Sequence, residues 1–184
     1  HLMHSVRGAL ERVLEGNNTI TVDRFSLSTT LCTNAIVQQQ TEPVGVLVSA
    51  GPGVDPALYA IGEHYQRVTG GLDHRGTEVT PLDGQMVRKT VTTFRSKGLK
   101  TFAVVGKFSP RNPQHEQGVA RVLDEEGSEF YTLGHSLSGQ LNFPRRIATA
   151  YFNSAVWRLY NGFADAVATS CGQLGLSAPL HILK

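Results

Sequence analysis

At 184 residues, with 40% hydrophobic and 17% charged residues, the chain has the composition of a folded globular protein with enough apolar content for a sizeable core. Its formal charge of +2 is too small to argue for nucleic acid, no cluster of Lys and Arg exceeds a pair, and basic and aromatic residues do not interleave. No apolar run approaches the length of a membrane span, and Val6 to Leu14 is interrupted by Arg7, Glu11 and Arg12, so neither a spanning helix nor a signal peptide is expected.

The elements follow in chain order. His1-Leu2-Met3 reads as a cloning scar, and Ser5 to Glu15 as an amphipathic helix stopped by Gly16. Asn17-Asn18 turns the chain, and the loose alternation of Thr19 to Leu27 suits one or two short strands. Ser28-Thr29-Thr30 offers hydroxyls to cap a helix from Leu31 to Gln40. The apolar run Val44 to Ala50 predicts a buried strand, followed directly by the turn Gly51-Pro52-Gly53. Asp55 to Gln66 reads as a short helix, and Asp73-His74-Arg75-Gly76 as a hairpin turn between Gly71-Leu72 and Glu78-Val79.

Asp83 caps a helix to Lys97 that Gly98 closes, and Thr101 to Phe108 is a second buried strand. Asn112 and Pro113 start a helix to Glu126 with Val119, Val122 and Leu123 inward, and Gly127 ends it. Glu129 to Leu133 is a third strand, Gly134 to Gly139 a loop by composition, Pro144 to about Gly172 a long helix, and Pro179 to Leu183 a last strand. Strand and helix alternate, which predicts an α/β layered fold in one domain over residues 1–184: a mostly parallel or mixed sheet with helices on both faces. The loops after the strands are expected to gather along one edge, where such folds place ligands.

Candidate site residues fall in two stretches. Thr29, Thr30, Thr33 and Asn34 crowd the start of one helix, where free N–H groups and the dipole favour anions and carbonyl oxygens. Further on, a loop carrying His135 and Ser138 feeds a helix on which Arg146, Thr149 and Asn153 fall at i, i+3 and i+7. That row reads either as a polar wall for a ligand or as a face turned to water. Cys32 and Cys171 sit in no Cys-x-x-Cys or zinc spacing and read as small apolar residues of a reducing, cytoplasmic compartment. His64 and His74, with Glu63 or Asp73, lack the His-x-x-x-His spacing of a metal site.

Three motifs in order carry a resemblance: Thr29-Thr30-Leu31-Cys32-Thr33-Asn34-Ala35, Lys107-Phe108-Ser109-Pro110-Arg111-Asn112-Pro113, and His135 with Asn142-Phe143-Pro144-Arg145-Arg146. Together they resemble the hydantoinase A/5-oxoprolinase family, over about Asp23 to Lys184. Ser28 stands where that family usually has a glycine, and Ser136 where many members have a glutamate.

The resemblance implies a piece of a duplicated α/β fold similar to actin-like sugar kinases, in a parent enzyme that hydrolyses a cyclic amide with ATP and a divalent cation, Mg or Mn. It implies a second, hydantoinase B-type subunit or a homo-oligomer as partner. It gives His135 the role of proton shuttle or orienting group, and Arg146 that of a clamp for a carboxylate or phosphate. Thr29, Thr30, Thr33, Asn34, Ser138, Thr149 and Asn153 would bind substrate or phosphate. The family's phosphate loops would lie before His1 and after Lys184, so the chain alone is expected neither to bind ATP nor to turn over. Two other readings stay open: a ligand-binding or subunit-contact module without turnover, and a subunit of the acetone-carboxylase type.

Overall fold

The structure, a computed structural model, describes residues 2–15 and 22–183. Its elements in order are α1 (Leu2–Leu14), β1 (Phe25–Ser28), α2 (Leu31–Val37), β2 (Val44–Ser49), a 3-10 turn (Pro56–Tyr59), β3 (His64–Arg67), β4 (Gly71–Leu72), β5 (Glu78–Thr80), α3 (Gly84–Ser96), β6 (Thr101–Gly106), α4 (Gln114–Glu125), β7 (Phe130–Leu133), α5 (Gly134–Leu137), α6 (Phe143–Gln173) and β8 (Leu180–Leu183). Where the sequence reads as one domain, the chain divides into two compact units: Thr41–Ala155, and His1–Gln40 with Val156–Lys184. The stop at Gly16, the turn at Asn17-Asn18 and the strand start at Thr19 lie outside the described residues.

The unit Thr41–Ala155 is built on a four-stranded sheet of order β3-β2-β6-β7 in which every pairing is parallel. All of β2 and β6 is buried. Successive side chains point to opposite faces, so a strand covered on both sides must be apolar throughout. Leu47, Phe102 and Val104 meet Val87, Val91 and Phe94 of α3 and Val119 and Leu123 of α4. Val44, Val46, Val48, Ala103 and Val105 meet Phe143, Ile147 and Ala150 of α6. Gly45 leaves room for two rings: a Cβ there would come within 2.7 Å of both Phe94 and Phe102. The layered α/β architecture with helices on both faces is therefore present, and wholly parallel in this sheet.

Local signals place the element ends. The Asp83 carboxylate accepts the Met86 N–H at 3.0 Å to start α3. Gly98, at φ +87°, ends it as the left-handed residue after the helix. Asn142 accepts the Arg145 N–H at 3.1 Å at the head of α6, with Pro144 in the first turn.

Two expectations fail. Asp55 to Gln66 is not a helix: only Pro56–Tyr59 turns, and His64–Arg67 pairs with β2 as an edge strand. Gly62, at φ +72°, breaks the helical path, and a Cβ there would lie 2.6 Å from the Tyr151 ring. Gly134–Leu137 is a helical turn rather than a loop, because Ser136 Oγ donates to the Leu133 carbonyl at 2.7 Å and closes it.

In the other unit, β1 and β8 pair in parallel, and Leu10 of α1 shares a core with Phe163, Val167, Cys171 and Leu176. Cys32 is half-buried and Cys171 buried; neither is oxidised, and burial raises the pKa of both thiols. The α2 helix ends with Gln39 at φ +56°, while the Gln39 N–H reaches the Ile36 carbonyl and the Gln40 N–H the Ala35 carbonyl. This is a Schellman ending with glutamine where glycine is usual. A side chain in the left-handed region costs about 1 kcal/mol, so Gln39→Gly is expected to raise stability by about that amount in urea unfolding. An unchanged or lowered midpoint would show that the exposed glutamine carries no strain.

Candidate functional site

The loops that follow the strands meet at one edge of the parallel sheet, around a carboxylate the sequence reading did not single out. Glu116, in the first turn of α4, is only 1% exposed. Its Oε1 accepts the Gly106 N–H at 2.8 Å, at the end of β6. Its Oε2 accepts the His135 N–H at 2.9 Å, just past β7, and lies 2.6 Å from Nδ1 of the same histidine. Gly134 makes the room, since a Cβ there would lie 3.1 Å from Oε1. A buried carboxylate is tolerable only when its lone pairs are filled and a positive charge is near.

That charge comes from the opposite face of the sheet. Arg146 of α6 is 2% exposed, and its Nη1 lies 3.8 Å from Glu116 Oε1. Nη1 donates to the Gly106 carbonyl at 2.9 Å and to Ser109 Oγ at 2.8 Å, and Nη2 donates to the Lys107 carbonyl at 2.6 Å. Burial pulls the guanidinium pKa below its ordinary value, and the Glu116 charge opposes that pull. Three of the five guanidinium N–H groups are given to the loop after β6, so Arg146 braces that loop, while its buried Nε has no hydrogen-bond partner among the described residues.

The other expected residues separate. His135 joins Arg146 through Glu116, and its side chain remains 22% exposed. Ser138 accepts the Gln140 N–H at 3.1 Å in the loop that follows. The row on α6 passes from buried Arg146 to exposed Thr149 and Asn153. Thr149 Oγ1 donates to the Arg145 carbonyl at 2.8 Å, and Asn153 Nδ2 donates to Thr132 Oγ1 at 3.0 Å. The threonine motif belongs to the other unit. There Thr29 Oγ1 accepts the Leu31 N–H at 3.1 Å, and Thr30 Oγ1 accepts from Asn34 Nδ2 at 3.3 Å. Thr33 is exposed.

A second histidine–carboxylate pair lies one residue before Glu116. His115 is 3% exposed, with Nε2 2.7 Å from Glu78 Oε1 and a buried Nδ1 that has no hydrogen-bond partner among the described residues. Gln114 Nε2 donates to the same Glu78 oxygen at 3.0 Å, and Asn112 Nδ2 to the Gly76 carbonyl at 2.9 Å, so the β4–β5 hairpin is latched to α4. At the same strand edge a hollow of about 670 Å³ opens between Gly51, Pro52, Arg67, Thr69 and Gly70. Lys107 Nζ donates to the Pro52 carbonyl at 3.1 Å beside it. A larger hollow, about 880 Å³, lies along the flank of α3 near Leu82, Arg88 and Thr92, away from these strand ends.

Among the described residues no group of three or more His, Cys, Asp and Glu is placed to hold a metal ion, and no helix is long and apolar enough to cross a membrane.

Sequence alone contained one signal for Glu116. It falls at i with Val119 at i+3 and Leu123 at i+7, so a carboxylate stands on the apolar stripe of α4. An acidic residue in that position must be paired within the fold.

Comparison with known proteins gives a consistent picture. The family described as the hydantoinase/oxoprolinase N-terminal region matches residues 1–127. The alpha subunit of caprolactamase from Pseudomonas jessenii is 24% identical over 177 residues, covering 85% of this chain and 25% of that protein. The gamma subunit of acetophenone carboxylase from Aromatoleum aromaticum is 24% identical over 170 residues, covering 74% of this chain and 23% of that protein. The chain thus spans about a quarter of the length of the curated relatives it matches. Among solved structures, the ATP-dependent caprolactamase of Pseudomonas jessenii superposes with a TM-score of 0.80 at 19% identity, over 97% of this chain and 30% of that one. Nucleotide-free acetone carboxylase superposes with a TM-score of 0.77 at 15% identity, over 98% and 30%. Both show the same fold.

The brace is testable by removing one side of it. Arg146→Met leaves Glu116 buried beside no positive charge and is expected to cost about 3–5 kcal/mol in urea unfolding. Adding Glu116→Gln to that variant is expected to return part of the loss, because the stranded charge goes with it. Full stability in Arg146→Met would mean that the guanidinium does not hold the loop.

Proposed function

Because the chain belongs to the hydantoinase/oxoprolinase family, we propose that it is part of an enzyme that spends ATP to open a cyclic amide. The observation that supports this reading most is His135: it is anchored by Glu116 at the carboxyl edge of a parallel sheet, and its Nε2 has no hydrogen-bond partner among the described residues. An amide is a poor electrophile because resonance ties the nitrogen lone pair to the carbonyl. Transfer of a phosphoryl group from ATP to the carbonyl oxygen makes the carbon a better target for water. The protein then has to position water and lactam and move one proton. His135 is the residue here suited to the proton, and Glu116 and Arg146 keep its loop in place. ATP and its divalent cation belong to the whole enzyme in this reading. Its partner is a second subunit, in line with relatives named as alpha and gamma subunits.

A second reading has its own support, since the acetophenone carboxylase subunit is as similar in sequence as the caprolactamase subunit. In that case ATP would activate a ketone or bicarbonate for carbon–carbon bond formation. The experiment is ATP hydrolysis by the purified enzyme containing this chain. It is assayed with 5-oxoproline, hydantoin and caprolactam in one set, and with acetone or acetophenone plus bicarbonate in the other. Lactam-dependent hydrolysis with the ring-opened product is expected, and His135→Gln is expected to lower kcat by roughly 100- to 10,000-fold. Stimulation by ketone and bicarbonate alone would establish the carboxylase reading instead. A purified enzyme that neither binds nor hydrolyses ATP would leave a binding module.

A further inference from the structure

We infer that Glu116 sets the proton position on His135, leaving Nε2 as a bare hydrogen-bond acceptor at the strand edge, so that the group it meets is a donor: a water O–H or an amide N–H. Only the use made of that acceptor rests on the proposed lactam chemistry; the tautomer does not.

The lone pairs of one carboxylate decide where the proton sits. Oε1 of Glu116 accepts the Gly106 N–H and Oε2 accepts the His135 N–H, at 2.8 and 2.9 Å. Backbone N–H groups only donate, and the guanidinium beside Oε1 favours the ionised carboxylate, which has no hydrogen to give, so both oxygens are acceptors. The Arg146 guanidinium, 3.8 Å from Oε1, is itself tied to Gly106, Lys107 and Ser109, so the carboxylate is confined from every side. A ring nitrogen 2.6 Å from such an oxygen has to bring a hydrogen, since two facing lone pairs repel. A neutral imidazole has one N–H. With it on Nδ1, Nε2 keeps its lone pair and makes no hydrogen bond among the described residues.

His115 shows that this outcome is particular to one site. There the nitrogen facing a carboxylate is Nε2, and the bare nitrogen is Nδ1, buried without a partner beside Gly70, where an added Cβ would lie 3.2 Å away. The two pairs have opposite polarity. His135 alone of the two keeps part of its ring at the surface, 22% against 3%.

In lactam opening this arrangement makes His135 a base before it is an acid. The water oxygen bonds to the ring carbonyl carbon as its proton passes to Nε2. The same proton goes on to the ring nitrogen, which restores the neutral imidazole; the carbon–nitrogen bond then breaks as the added hydroxyl passes its own proton to the leaving amine, and the acyl phosphate that remains takes a second water to give carboxylate and phosphate. Between the two transfers the imidazolium keeps its Nδ1–H on Glu116. Glu116 is thus a positioning residue that acts through His135, and it excludes the neutral ring as a donor to a developing oxyanion.

The test is a long-range proton–nitrogen correlation spectrum of the 184-residue chain, recorded about two pH units above the ordinary imidazole value. The His135 signals are assigned by their loss in His135→Gln. The expected pattern is a protonated Nδ1 and an unprotonated Nε2; a protonated Nε2 overturns the inference. In the complete enzyme, Glu116→Gln is expected to lower ATP-driven lactam opening about 100-fold or more, and to have no further effect once His135→Gln is present. A full Glu116→Gln loss on top of His135→Gln overturns the positioning role. An enzyme that opens no lactam removes the proposed reaction, while the spectrum still decides the tautomer.

Discussion

One buried carboxylate facing one buried guanidinium across a single loop holds the strand edge together. Glu116 comes from a helix on one face of the sheet and Arg146 from a helix on the other, and both end on Gly106. Gly106 gives its N–H to the carboxylate and its carbonyl to the guanidinium. It has little room for a side chain, since an added Cβ would lie 3.2 Å from Ser109 and 3.3 Å from Ser49. Taking either charge out of water costs several kcal/mol, and their attraction repays this only while the surrounding hydrogen bonds stay in place. The loop, the two helix starts and the strand end are therefore coupled.

Rigidity of this kind suits the proton-moving role proposed for His135. An imidazole on a mobile loop would sample both tautomers and several orientations. The His135 backbone N–H and Nδ1 both contact the same carboxylate oxygen, which fixes ring and main chain together. The short helical turn after β7 adds to this, with Ser136 closing it back onto Leu133. Preorganised polar groups are effective because they pay the cost of alignment during folding rather than during reaction. The latch of the β4–β5 hairpin onto α4 through Glu78 and His115 extends the same principle along the edge.

Most of the scaffold was legible from local pattern. The unbroken apolar runs at β2 and β6 announced strands covered on both faces, and Asp83 and Gly98 marked the ends of α3 through the backbone chemistry they satisfy. The failures share a cause. Asp55 to Gln66 carries no turn signal strong enough to outweigh its helical look until Gly62 meets Tyr151 and His64–Arg67 finds β2. An arginine on a polar helical row looks the same in sequence whether it faces a cleft or a neighbouring loop, so the reach of Arg146 to the loop after β6 was not legible either.

The sequence by itself determined the layered α/β class, most of the strand and helix order around the sheet, and the placing of His135 directly after a strand. These follow from periodicity, caps and glycine positions, which act within a few residues. Only the tertiary structure decided that Glu116 and Arg146 are partners, that Arg146 braces the loop after β6, and that His135 is anchored through Nδ1 to Glu116. Those outcomes depend on which chain segments meet: Glu116 and Arg146 are thirty positions apart, and neither is satisfied until α4, α6 and the end of β6 converge.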